Sequence, residues 1–197
     1  MNFLATTVML TGDADRVALS TVLTITAVVC GGILAAHLIF VLATNRRLDN
    51  AGPRHWISLA LHLAFLSVMA VLAISSFGTL VTTGHLVGYP LLLHLMAAGA
   101  FVFLLLGFAS VYLPQGTPQP NDPAMNAHRW WLNRWSVWAI VLGSLITAGT
   151  MFLSMFPILD TAGLLRAARL HRYAGLFVVV AAIVHAYSLI CVRFRWR

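Results

Sequence analysis

Long apolar stretches separated by short polar ones divide the chain into five segments of membrane-spanning length. Val17 to Asn45 contains no Asp or Arg, and Arg46, Arg47, Asp49, Pro53 and Arg54 close it with a polar loop. No Asp or Arg occurs between Arg54 and Asp122, which is too long for one helix. Thr82-Thr83-Gly84-His85 and Gly88-Tyr89-Pro90 break that stretch, because Gly and Pro punctuate helices and Pro opens them. The pattern thus predicts a second span near 56–80 and a third near 90–113. Pro114 to Pro123 holds four prolines with Asn121 and Asp122 and reads as a solvated loop. A fourth span is expected from about Trp131 to Phe156, before Pro157. Asp160 and Thr161 are placed to N-cap a fifth helix that ends at Arg193.

Composition turns these helices into a membrane bundle. Of 197 residues, 60% are hydrophobic and 9% charged, and the mean hydropathy is +0.90. An ordinary soluble domain carries roughly 25% charged residues. So few charges cannot clothe a water-soluble globule, which excludes a cytosolic enzyme, a secreted disulfide scaffold and a disordered chain. The expected fold is all-α, with 1–197 forming a single polytopic membrane domain. Met1 to Arg16 carries Asp13 and Asp15 without the basic start of a secretory signal, so it is read as an uncleaved tail. Cys30 and Cys191 lie inside apolar runs and read as inert small hydrophobes.

All twelve bases are Arg and all five acids are Asp. The net charge of +7 does not point to nucleic acid, because the arginines flank the spans rather than forming one basic face. With five spans, Arg46, Arg47, Arg54, Arg129, Arg134, Arg193, Arg195 and Arg197 share one side. Arg16, Arg166, Arg169 and Arg172 share the other. The arginine-rich side is expected to be cytoplasmic, with the N-terminus outside and the C-terminus inside. Trp130, Trp131, Trp135 and Trp138 cluster where the fourth span enters, as an interfacial belt does.

The histidines carry the chemistry. Ionisable groups within a bilayer are costly and each needs a partner. His37, His62, His94, His171 and His185 nevertheless fall within or at the ends of the spans. Neutral imidazole is a common metal ligand and needs no counter-charge. His171 and His185 are fourteen residues apart. On a helix that is about 21 Å of rise, with a rotation ~40° short of four full turns, so both face one way. One helix then offers two ligands, one near each membrane surface, which suits two stacked haems and not a compact di-metal site.

Each iron needs a second axial ligand at matching depth. His185 is eight residues from Arg193, and His62 is eight from Arg54. Both lie roughly 12 Å below the cytoplasmic edge. His94, one turn inside the helix opened by Pro90, matches His171 on the other side. The expected pairs are His62 with His185 and His94 with His171. His37, nine residues from Arg46 and so ~13 Å deep, rivals His62, because depth does not separate them. His55 and His85 flank the membrane, and His128 belongs to a polar loop. Gly175 and the run Ala97-Ala98-Gly99 are candidates for close approach of a macrocycle, or for helix packing. Arg169 and Arg172 are placed for the outer propionates, and Arg54 and Arg193 for the inner ones.

With these residues in view, the chain resembles the di-haem cytochrome b subunits of membrane-bound formate dehydrogenases and nickel–iron hydrogenases. The likeness covers about 54–192, four of the five helices, so that 1–53 forms an additional N-terminal helix and 54–197 the four-helix core. Arg54-His55-Trp56 and Ser75-Ser76-Phe77-Gly78 resemble the family's first helix, and Leu92-Leu93-His94-Leu95 its second. His171-Arg172-Tyr173 with His185 resembles its last helix. The family's first-helix ligand stands just before a Trp, which makes His55 the family-based alternative to His62. His37 has no counterpart in that pattern.

The resemblance implies two b-type haems and an iron–sulfur or cytochrome c partner on the extracytoplasmic side. It also implies a quinone on the cytoplasmic side, with His55, Asn133, Arg134 or Tyr187 as its neighbours, and a place in a bacterial cytoplasmic membrane. Such a chain is an electron-transfer subunit of an oxidoreductase complex rather than a complete enzyme. A different class of function, a haem-free transporter or channel with a histidine proton relay, would usually show acidic residues in its spans or an internal repeat.

Overall fold

The computed structural model describes the backbone of residues 2–44, 56–113 and 127–193, with side chains over 17–40, 43, 56–57, 59–113 and 134–190. Among these residues every regular element is helical. The helices are α1 (Asn2–Thr44), α2 (Trp56–Ala73), α3 (Thr79–Thr83), α4 (Tyr89–Tyr112), α5 (Ala127–Ser154) and α6 (Thr161–Arg193). A π-turn at Ile74–Gly78 joins α2 to α3, making them one rod. Five stretches are long and apolar enough to cross a membrane: Val17–Phe40, Leu59–Thr83, Tyr89–Tyr112, Arg134–Ser154 and Thr161–Ile190. This is the architecture of a multi-pass membrane protein.

The observed helices overrun the expected spans at several ends. α1 starts at Asn2, so the residues read as a tail continue the helix past Asp13, Asp15 and Arg16. A helix satisfies its own backbone, so it can leave the hydrocarbon without a penalty. At 43 residues it is about 65 Å long, twice the hydrocarbon thickness. α5 begins at Ala127, four residues before Trp131. The loops expected at 46–54 and 114–123 lie outside the described residues.

The breaks themselves follow local chemistry. Gly84 ends α3 in the left-handed region at φ 81°, and its N–H donates to Leu80 O at 3.1 Å. Gly88 precedes α4 at φ 64°, ψ −139°, a conformation open to glycine, and Pro90 follows in the first turn. At α6, Asp160 Oδ1 accepts the Gly163 N–H at 2.7 Å, which is the N-cap expected of it.

Packing divides the bundle into two antiparallel hairpins. α5 lies closely along α6, and the α2 rod along α4, while contacts between the hairpins are much sparser. The buried core lies between them. Phe65 and Met69 of α2 meet Leu105 and Phe108 of α4, Val137, Ile140 and Val141 of α5, and Val178, Ala181 and Ala182 of α6. Phe65 and Phe108 stack with ring centroids 4.5 Å apart. α1 stands largely apart from this core. Its Leu19, Ser20 and Leu23 share a small cleft with Phe77, Leu80 and Val81.

Gly143 sets how close the α5–α6 hairpin comes. A Cβ there would lie 2.6 Å from Val178 Cγ2 and 3.0 Å from Phe177 Cδ1. Overpacking of this kind costs about 1–3 kcal/mol. Gly143→Leu is therefore expected to lower the thermal midpoint of the detergent-solubilised protein, followed by circular dichroism. Gly149→Leu on the same helix, where nothing lies within 4 Å, leaves the midpoint unchanged.

Candidate functional site

Four histidines form two facing pairs in the spans. His62 of α2 and His185 of α6 have ring centroids 5.0 Å apart. His94 of α4 and His171 of α6 have centroids 6.5 Å apart at an interplanar angle of 75°. The two pairs sit at opposite ends of the bundle, because His171 and His185 are separated by fourteen residues of one helix. Each pair joins one hairpin to the other, across the sparsely packed seam between them.

The inner pair lies deep. His62 is 5% exposed and His185 1%. Phe108 stands against both rings, with centroids at 5.8 Å from His62 and 5.7 Å from His185. Tyr112 lies edge-on to both. The Nδ1 of His62 is 3.2 Å from the Tyr112 hydroxyl, and the Nδ1 of His185 is 2.9 Å from Ser136 Oγ. With Nδ1 held in this way, the Nε2 atoms of both rings are buried and make no hydrogen bond.

The outer pair is half-buried, and its hydrogen bonds are more directive. His171 Nδ1 donates to the Thr147 carbonyl at 3.0 Å, with Thr150 Oγ1 at 3.4 Å. A carbonyl only accepts, so the ring proton is on Nδ1 and the Nε2 lone pair is available. His94 Nδ1 lies 3.2 Å from Ser75 Oγ, within the π-turn. In all four rings Nδ1 lies within hydrogen-bonding distance of a protein group.

In the sequence Ser75 stood out only within the motif closing the second span, and Tyr112, Ser136, Thr147 and Thr150 did not stand out, although part of the signal was present. Ser136 and Thr150 are fourteen residues apart on α5, the interval that separates His171 from His185 on α6. Antiparallel helices match equal intervals, so two hydroxyls on one face predict two imidazoles on the other. Ser144 lies between the two levels; it is 1% exposed and its Oγ makes no hydrogen bond.

The remaining candidates fall elsewhere. His37 is not in either pair: on the exposed face of α1, its Nδ1 meets the Tyr187 hydroxyl at 2.6 Å. His85 is exposed in the turn before α4. Arg54 and His55 lie outside the described residues, as do the side chains of His128, Asn133 and Arg193. Arg169 and Arg172 are exposed near the start of α6, at the level of the outer pair. Gly175, one turn beyond His171, and Gly99 each leave open space where a Cβ would stand.

Each level thus brings two imidazoles from different hairpins face to face, a donor set that would suit one bound group. Among the described residues no three histidine, cysteine or acidic side chains converge on a metal position. No protein-family model, no curated protein and no solved structure matches this chain.

Proposed function

We propose that the chain is a transmembrane electron-transfer subunit that holds two b-type haems, one between His62 and His185 and one between His94 and His171. The observation that carries this reading is the pairing of four imidazoles across the seam between the hairpins, at two levels. A metal–imidazole bond of about 2 Å on each side puts two ring centres roughly 6 Å apart. The outer pair, at 6.5 Å, has this spacing, and the inner pair, at 5.0 Å, needs to open by about 1 Å to reach it.

Ligand count favours a macrocycle. A bare zinc ion takes four ligands, and calcium six to eight. A position with two imidazoles suits a group that brings its other donors with it. Haem held by two histidines is six-coordinate and transfers single electrons without an open position for substrate. The chain's own part is to fix each ring through Nδ1, keep Nε2 towards the metal position and exclude water. Phe108 and the surrounding core do this at the inner level. Half-buried Gly175, one turn beyond His171 and with nothing within 4 Å of where a Cβ would stand, leaves room beside the outer pair.

The wider reading rests on the resemblance over 54–192. Electrons would pass between an extracytoplasmic iron–sulfur or cytochrome c partner and a membrane quinone. The quinone would lie on the cytoplasmic side, near Tyr187, and the whole in a bacterial cytoplasmic membrane. Arg169 and Arg172 are suited to the outer propionates, and Arg54 and Arg193 to the inner ones. The arginine bias supports an N-terminus outside and a C-terminus in the cytoplasm.

The purified chain, produced with ample haem, is expected to show a dithionite-reduced b-type α-band and two haems per chain by pyridine haemochrome assay. His171→Ala and His185→Ala each retain one haem, and His128→Ala retains both. His62→Ala loses the inner haem, whereas His37→Ala keeps it; the opposite result would put His37 in the inner pair. A colourless protein would leave the proton-relay reading standing.

Topology has its own check. Alkaline phosphatase fused within the turn at 84–88 is expected to be active, and fused after Arg197 inactive. The reverse pattern would invert the assigned orientation.

A further inference from the structure

The π-turn at Ile74–Gly78 brings a side chain against one histidine of the outer pair, and π-turns are rare and concentrate at functional sites. Phe65 and Met69 face the core. Within the turn Ser75 is buried, at 5% exposure, and Ser76 is half-buried. Threonines support the distorted backbone. Thr79 Oγ1 donates to the Ser75 and Ser76 carbonyls, and Thr82 Oγ1 donates to the Gly78 carbonyl at 2.9 Å.

Ser75 Oγ lies 3.2 Å from the Leu72 carbonyl and 3.2 Å from His94 Nδ1. A serine hydroxyl has one proton to give. Given to Leu72 O, which only accepts, it leaves the oxygen lone pairs for the Nδ1 proton of His94. The imidazole then carries its proton on Nδ1 and presents the Nε2 lone pair to the position it shares with His171.

We propose that Ser75, buried in the π-turn, is a positioning residue that fixes the tautomer of His94 and strengthens it as an axial ligand. This rests on the haem-binding reading above. A hydrogen bond accepted from Nδ1–H makes an imidazole a stronger donor to the metal, and a stronger donor favours the ferric state. Ser75 therefore lowers the reduction potential of the outer site and not of the inner one.

The test is an optical redox titration of the purified, haem-loaded full chain, with low-temperature EPR of the ferric form. In Ser75→Ala, the component that His94→Ala removes is expected to move to higher potential with its EPR signal altered. The other component stays in place, and haem content remains at two per chain. Ser75→Thr, which keeps the oxygen, restores the original potential. Should Ser75→Ala fail to accumulate, Ser75→Cys, close in size and a poor acceptor, is read in the same way. Two haems with neither component shifted in the variant would overturn the role of Ser75 and leave the haem-binding reading intact. A shift of both components equally would also overturn it. A wild-type chain without haem would overturn both.

Discussion

The register of α5 against α6 is the constraint on which the candidate site depends. The two helices are antiparallel, and Ser136 meets His185 at one end while Thr150 meets His171 at the other. Equal fourteen-residue intervals on the two partners make both contacts possible in one rigid pairing. A shift by one residue would rotate either helix by about 100° and part both pairs of groups at once. Gly143 permits the close approach that holds this register, since Val178 and Phe177 occupy the space a side chain would need.

That pairing places two histidines, and the other hairpin must bring the remaining two. His62 and His94 sit on α2 and α4, which run antiparallel, so one falls near each end of the bundle. The sparse contact between the hairpins is then informative. Protein interiors are close-packed, and in a bilayer helices associate through packing and polar contacts rather than through the hydrophobic effect. Here the imidazole hydrogen bonds run within each hairpin, the rings of the two pairs meet across the seam, and the apolar core of Phe65, Phe108, Ile140 and Ala182 fills the distance between the two levels.

Much of this was legible in the chain. Charge-free runs gave five helices, and glycine, proline and Asp160 marked the breaks, because those signals act within a turn of where they stand. Depth arithmetic from the flanking arginines joined His62 to the level of His185, and the helix start at Pro90 joined His94 to the level of His171. It could not separate His37 from His62, because depth contains no information about which helices are neighbours. In the structure the ring that faces His185 is that of His62, while α1 is peripheral and its His37 meets Tyr187. The π-turn was hidden for a different reason. Ile74-Ser75-Ser76-Phe77-Gly78 is compatible with an ordinary α-helix, so no local signal marks the extra residue per turn. The charge-free run marked the first span from Val17, where the structure also has it, but not that the helix runs back to Asn2, because charge marks where a helix leaves lipid and not where it stops being a helix.

The two levels are not equivalent, and the difference follows from where they sit. At the inner level both rings are buried beneath Phe108 and Tyr112, and hydroxyls that can donate or accept face their Nδ1 atoms. At the outer level the rings are half-buried, a backbone carbonyl fixes the proton of His171, and Arg169 and Arg172 stand exposed nearby. A group gaining positive charge is penalised more at the inner level, where fewer solvent dipoles reach it. A single fold built from two similar hairpins thus supplies two histidine pairs of unlike electrostatic character, one at each end of the same helix.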